Sequence, residues 1–256
     1  TKSNPNLFIR SNVRSFYRSK VEKLLFNNTQ DWWTLIQHGL SLTTYLAPIA
    51  FKNNIGKVYI GSTFEFEKNN MAWGSSYIDN LIAFGSTEVI HHGQDANRLE
   101  KMRYLTNYFE KVNLPTPFRV CYHQSNTKLN CSVCAKCYRA ILTLILLGKD
   151  PRVYGFTMEM SSNSMEQYYD NLAEYIQKVV FRQSVYYYWL EIYEEMNTTN
   201  QAPFIFFNKV IETQKINELK SLLQQLKFKK KRWNNLIMEK LDHHRTKWFE
   251  ILHSIQ

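Results

Sequence analysis

The chain has 256 residues, 44% of them hydrophobic and 15% aromatic, enough apolar side chain to fill one large core or two and too much for a disordered chain. Its longest apolar run, Ala140 to Leu147, is far shorter than the ~20 residues of a bilayer-spanning helix, so no membrane partner is expected. A net charge of +10 favours anionic partners such as nucleotides or nucleic acid.

Leu7-Phe8-Ile9, followed by Ser11-Asn12-Val13-Arg14, reads as a buried strand that ends in a polar loop. Asp31 is a suitable N-cap for a helix with Trp33, Ile36, Leu40 and Thr44 on one face, which Pro48 kinks or ends. His38 falls inside that pattern and reads as packing. Lys57-Val58-Tyr59-Ile60 predicts the next strand, with Gly61-Ser62-Thr63 leaving its carboxyl end, and Val89-Ile90-His91-His92-Gly93 predicts another. Gln94 to Phe109 suits a helix with Leu99, Met102 and Leu105 inward. Phe118-Arg119-Val120-Cys121 predicts a brief strand, and Ala135 to Leu147 an apolar helix capped by Gly148, with Pro151 just beyond.

Strands alternating with helices imply an α/β fold built on a parallel sheet. Ligands of such sheets sit at the carboxyl ends of the strands. Three polar clusters occupy such ends: Ser11-Asn12, Gly61-Ser62-Thr63 and His91-His92-Gly93. Successive strand residues point to opposite faces, so at most one of His91 and His92 faces a site.

The character of the chain changes near residue 155, where Gly155-Phe156 and then Ser161-Ser162-Asn163-Ser164 read as a linker or helix cap. Two regions are expected, an α/β domain over 1–155 and a helical extension over 156–256. In the second, aromatics are dense from Tyr168 and Tyr169 through Tyr175 and Phe181 to Tyr186-Tyr187-Tyr188-Trp189. An exposed Tyr-rich helix there would serve as an interface between copies of the chain. Ile216, Leu219, Leu222, Leu223 and Leu226 recur at helical spacing, as do Ile237, Leu241, His244 and Trp248. Between Lys215 and Lys247 ten basic residues face three acidic ones. These helices either grip nucleic acid or another anionic partner, with Trp233 and tyrosines stacking on it, or present an ordinary solvated face.

All four cysteines fall in one short stretch: Cys121, then Cys131-Ser132-Val133-Cys134-Ala135-Lys136-Cys137. Two residues separate each successive pair of the last three, the knuckle spacing that lets thiolates converge on one ion. Cys121 can fold back as the fourth ligand. Four thiolates suit tetrahedral Zn2+ in a closed, structural site that keeps no position for a reacting water. Arg119, Lys128, Lys136 and Arg139 are close enough in sequence to offset the resulting negative charge. An iron–sulfur cluster is a second reading, although the Cys-Pro that ends ferredoxin runs is missing; disulfides or free thiols are a third. The chain opens Thr1-Lys2-Ser3 without an apolar leader, so a reducing, cytoplasmic setting is expected.

The order of motifs resembles a known family. Tyr59-Ile60-Gly61-Ser62-Thr63 is followed by Trp73-Gly74-Ser75 and by Ser86-Thr87-Glu88. His92-Gly93-x-Asp95-x-x-Arg98-x-x-Lys101 comes next, then Arg119-Val120-Cys121 and Asn130-Cys131-x-x-Cys134-x-x-Cys137-x-Arg139. From Leu7 to Gly148 the chain is similar to the later half of the PP-loop ATP pyrophosphatases, and most to relatives of 7-cyano-7-deazaguanine synthase. The resemblance implies the α/β fold of the adenine-nucleotide hydrolases and a ligase-type reaction that uses ATP and Mg2+. Such enzymes adenylate a carboxylate or carbonyl oxygen, release pyrophosphate and let ammonia or another amine displace AMP. The substrate would be a small-molecule or macromolecular carboxylate. The family's phosphate loop, Ser-Gly-Gly-x-Asp-Ser, has no counterpart, since Ser-Gly-Gly occurs nowhere in the chain. Either these residues are the later part of a longer or divided enzyme, or the loop has been lost. In the second case the zinc-stiffened fold is a non-catalytic module that binds nucleic acid or a partner protein.

No residue stands out as catalytic. Ser62 and Thr63 at a strand end contact nucleotide or substrate, or form an ordinary turn. Asp95, Arg98 and Lys101, three apart, would share a helical face that meets phosphate or forms a solvated ion-paired surface. Trp73-Gly74-Ser75 would wall a substrate pocket or anchor a core.

Overall fold

The computed structural model of the chain describes residues 9–10, 39–62, 76–114, 116–121, 128–159, 161–178, 183–198 and 211–226. They belong to two units, Thr1–Lys101 and Met102–Gln256. Most of the strand expected at Leu7-Phe8-Ile9, the helix start at Asp31, Thr63, Trp73-Gly74-Ser75 and the basic stretch after residue 226 lie outside the described residues.

In the first unit Leu42–Thr44 (α1) and Ala47–Lys52 (α2) are separated at Tyr45-Leu46. Pro48 occupies the first turn of α2, where a missing N–H costs no intrahelical bond; it opens a helix and does not end one. Lys57–Gly61 (β1) follows, then Ser76–Asp79 (α3), Ala83–Phe84 (β2) and Thr87–His92 (β3). β3 is central, with sheet order β1-β3-β2. β1 runs parallel to it, Val58 opposite Val89 and Gly61 opposite His92. β2 is antiparallel, Phe84 opposite Thr87, so the three strands form a mixed sheet where strand–helix alternation suggested a parallel one. The two-residue link Gly85-Ser86 begins with a glycine at φ +61°, the glycine-first pattern of a tight hairpin. Along β3, Thr87, Val89 and His91 are buried while Glu88 and His92 are exposed, the period-2 alternation of a strand with one covered face.

Arg98–Lys111 (α4) crosses the boundary between the units. It begins four residues after the expected start at Gln94 because Asn97 and Glu100 close a capping box. The Glu100 N–H donates to Asn97 Oδ1 at 2.9 Å, and the Asn97 N–H donates to Glu100 Oε2 at 2.8 Å. Leu99 and Met102 are buried as expected, but Leu105 is 47% exposed and Thr106 takes the inward position at 0%.

The second unit continues with Ala135–Leu146 (α5), a 3-10 turn at Pro151–Tyr154, Ser162–Lys178 (α6), Gln183–Thr198 (α7) and a helix over residues 211–226 (α8). α5 is its centre: Ile141, Leu142, Leu144 and Ile145 are all fully buried. Around them pack Met165, Leu172 and Ile176 of α6, Trp189 and Ile192 of α7, and Leu219 and Leu223 of α8. Each such side chain removed from water stabilises the fold by ~1.5–3 kcal/mol. Among the described residues, Tyr168, Tyr175 and Trp189 of this stretch go into packing. Tyr138 contacts Tyr168 and Tyr175, each at 5.8 Å between ring centres, and Tyr175 contacts Trp189 at 6.1 Å. Arg103 pairs with Glu195 at 2.6 Å and ties α4 to α7; Lys215 pairs with Asp170 and ties α8 to α6. Among the described residues no helix is long and apolar enough to cross a membrane.

Candidate metal centre and strand-end cluster

The segment Phe118–Cys121 is extended but pairs with no strand among the described residues. The Phe118 N–H donates to Tyr154 O at 3.3 Å, and one side chain pairs with Phe118 O and the Val120 N–H. Asn130, 0% exposed, accepts from the Val120 N–H at 2.9 Å through Oδ1 and donates through Nδ2 to Phe118 O at 2.9 Å and Gly155 O at 3.2 Å. A strand was expected here, and the asparagine amide stands in for the missing ladder. Gly155 is required at this junction. Its φ is +91°, and a Cβ would come within 2.8 Å of Leu129 Cδ2 and 3.1 Å of Pro117 Cβ. The Thr157 N–H donates to Ser132 Oγ at 2.9 Å and pins the other side of the knuckle.

This frame brings Cys121, Cys131, Cys134 and Cys137 together, all four Sγ atoms within 4.8 Å of one another. The Cys134–Cys137 and Cys131–Cys137 sulfur separations are 3.6 and 3.8 Å. A tetrahedral shell with metal–sulfur bonds of ~2.3 Å has sulfur–sulfur edges of about 3.8 Å, so these four residues can hold a metal ion. None of them is in a disulfide. Ser132 at φ +63° makes the knuckle turn, and the Cys131 N–H donates to Cys121 Sγ at 3.3 Å. Cys134 is the N-cap of α5 and Cys137 lies in its first turn, so one helix start places both. Cys121 and Cys137 are buried, Cys131 and Cys134 half-buried.

The basic residues proposed to offset the cluster also have structural partners. Arg119 Nε donates to Cys121 O at 3.0 Å, and the Arg139 guanidinium lies 4.5 Å from the centre of the Tyr188 ring. Burial, then the contacts with Cys134 and Cys131, push the Cys137 thiol far above its ordinary range. Without a cation this thiol stays protonated, and four thiolates coexist only around a positive ion.

The strand-end cluster belongs to the first unit. At the carboxyl ends of β1 and β3 the Ser62 N–H donates to His92 O at 2.8 Å, and Lys101 Nζ donates to Ser62 O at 2.9 Å. Gly93, at φ +79°, lets the lysine pass: a Cβ there would stand 3.3 Å from Lys101 Cε. Ser62, Gly93 and Lys101 therefore meet. Arg98 shares the first turn of α4 with Lys101, whereas Asp95 precedes the helix and is exposed, so the three do not share one helical face. His91 turns to the buried face and its Nδ1 lies 2.9 Å from Asp79 Oδ2, with both side chains 1% exposed or less. His92 faces outward against Tyr59, edge to face at 5.9 Å.

Comparison with known proteins finds no matching family model, no similar curated protein and no similar solved structure. The chemistry therefore rests on these two clusters.

Sequence reasoning missed Asp79, which carried no signal of its own twelve residues before His91. The pair holds the imidazole by Nδ1, while Nε2 is buried without a partner among the described residues. Such an atom has an open hydrogen-bonding position.

The cysteine cluster also sets a pH dependence. The folded, metal-free chain holds Cys137 protonated, so this group stabilises the fold below the ordinary thiol pKa of about 8.5 and its contribution is lost as pH rises above it. Metal binding displaces the thiol protons and reverses the sign: the loaded protein gains stability with rising pH. The stabilisation by metal, read as the gap between thermal melts with and without chelator, should therefore widen from about pH 6 to 9.

Proposed function

We propose that the chain is the later part of a zinc-containing, ATP-dependent adenylating enzyme of the PP-loop kind, resembling 7-cyano-7-deazaguanine synthase. The observation that carries the reading is the 2.9 Å bond from Lys101 Nζ to Ser62 O. It joins two motifs 39 residues apart in the chain at the carboxyl ends of two parallel strands, the place where nucleotides bind in open α/β sheets. The lysine ammonium, with Arg98 one turn before it, supplies positive charge suited to the phosphate of an acyl-adenylate. Cys121, Cys131, Cys134 and Cys137 are the residues that would hold Zn2+. With four protein thiolates the ion has no open position, so its contribution is to bind the knuckle to the first turn of α5.

No phosphate-transfer step is assigned to these residues, because a Ser-Gly-Gly loop is not among them. AMP is therefore the probe. Calorimetric titration of the full chain should show AMP binding that Lys101→Met weakens by about tenfold or more. The four-cysteine cluster lies in the other unit, so metal content should be unchanged in that variant. Absence of AMP binding at millimolar concentration would contradict the adenylating role and leave the metal centre untouched.

A further inference from the structure

Beside the cysteine cluster, within the second unit, lies a groove of about 460 Å³, inside the range of natural ligand sites. One wall includes Cys131 and Val133; the other is the outer face of α6. That face presents three carboxamides at intervals of four, Asn163, Gln167 and Asn171, all exposed. Gln167 Nε2 donates to Asn171 Oδ1 at 3.0 Å, which leaves the Gln167 carbonyl as a free acceptor and the Asn171 amide as a free donor.

The spacing of this ladder selects a ligand. Residues four apart on a helix are about 6 Å apart along its axis. In an extended peptide every second residue turns its N–H and C=O to the same side, a repeat of about 6.6–6.8 Å. A carboxamide carries one donor group and one acceptor, the complement of the N–H and C=O of one such residue, and the bonded Gln167–Asn171 pair keeps one acceptor and one donor between its two ends. Three carboxamides in register match a stretch of about five residues.

Nucleic acid has a comparable repeat, but the groove lacks what it needs. Its only charged lining residues, among those described, are Lys128 and Glu159, one of each sign, and Glu159 Oε2 accepts from Ser164 Oγ at 3.1 Å. A strand of phosphates requires a row of cations. The groove's aromatic rings are no stacking platform either: Tyr168 is 8% exposed and donates its hydroxyl to Tyr138 O at 3.2 Å, and the Tyr138 ring packs on Tyr168 and Tyr175. Met158 and Val133 offer apolar surface between the polar walls, suited to an uncharged side chain.

We propose that this groove binds an extended, uncharged peptide segment of a partner protein, with the Asn163-Gln167-Asn171 ladder reading its main chain. The proposal is independent of the adenylating role and uses neither ATP nor the strand-end cluster. To test it, the zinc-loaded full chain is applied to an array of uncharged heptapeptides. The strongest binder is then titrated by fluorescence anisotropy in parallel with a single-stranded RNA heptamer. Saturable peptide binding is expected, nearly independent of salt. The combined variant Asn163→Ala, Gln167→Ala, Asn171→Ala should weaken it by about tenfold or more. Alanine at these exposed positions favours the helix, and circular dichroism checks that the fold is kept. N-methylation of alternate peptide nitrogens provides a readout that needs no protein variant: one register should abolish binding and the other leave it. The proposal is overturned by absence of any binder, by binding indifferent to the triple variant or to N-methylation, or by RNA binding that the triple variant removes.

Discussion

Replacing Cys134 with serine should release the metal and cost the second unit on the order of 5 kcal/mol, because the free energy of binding a structural zinc is folding free energy of ~10–16 kcal/mol in small metal-dependent domains. Cys134 is both a corner of the sulfur cluster and the N-cap of α5. Its loss leaves three thiols, of which Cys137 is buried and held protonated, together with the first turn of a helix that carries the core residues Ile141, Leu142, Leu144 and Ile145. Hydrogen exchange should therefore rise from Phe118 to Gly148, fading along α5 toward its carboxyl end, while the amides of β1 and β3 in the first unit stay protected. Chelation of the wild-type protein should produce the same pattern. Unchanged stability together with unchanged metal content in the serine variant would contradict the four-ligand assignment.

The second large effect is expected at Asn130. Alanine there removes three hydrogen bonds at once and leaves the Val120 N–H and the Phe118 and Gly155 carbonyls unpaired in a part-buried setting. Each bond contributes about 1 kcal/mol net, and each buried group left unpaired costs ~1–3 kcal/mol. Partial hydration of the vacated site recovers some of this, so about 3 kcal/mol is expected from denaturant unfolding. Metal affinity should fall as well, because Asn130 fixes the separation of Cys121 from Cys131, ten residues on. Asn130→Asp keeps an acceptor for the Val120 N–H and loses the two donated bonds. Its carboxylate, buried against the Phe118 and Gly155 carbonyls, should destabilise the metal-free protein at least as much as alanine does. A loss below about 0.5 kcal/mol for alanine, the level of an ordinary surface change, would show that the amide does not hold the knuckle.

The cysteine cluster was legible in the sequence because ligation depends on residue type and spacing, and both are local. Its supporting frame was not. Asn130 was visible only as the residue before Cys131, and its partners at Phe118 and Gly155 lie 12 and 25 residues away. The segment Phe118–Cys121 has strand composition and an extended backbone, but its partners are a side-chain amide and a single backbone carbonyl, which no periodicity announces. Strands β1 and β3 were readable from their apolar runs. The two-residue β2 lies below the length at which alternation carries information, so its antiparallel pairing with β3 was not legible. The start of α4 was readable and misread: Asn97-x-x-Glu100 is a capping signal, and it moves the helix start past Asp95. The inward face slipped by one residue, from Leu105 to Thr106, because Thr106 satisfies its own hydroxyl by donating to Met102 O at 3.0 Å and can be buried at little cost. Asp79 was illegible for the opposite reason: its role exists only once a turn and a hairpin carry His91 back to it.

The four cysteines are expected to bind one structural zinc ion. Native mass spectrometry with elemental analysis of the full chain, purified without chelator or added metal, tests it most directly. The expected result is about one zinc per chain, with no visible absorption from an iron–sulfur chromophore and release of zinc on acidification. A metal-free chain carrying disulfides among Cys121, Cys131, Cys134 and Cys137, or a chain that holds iron, would contradict it.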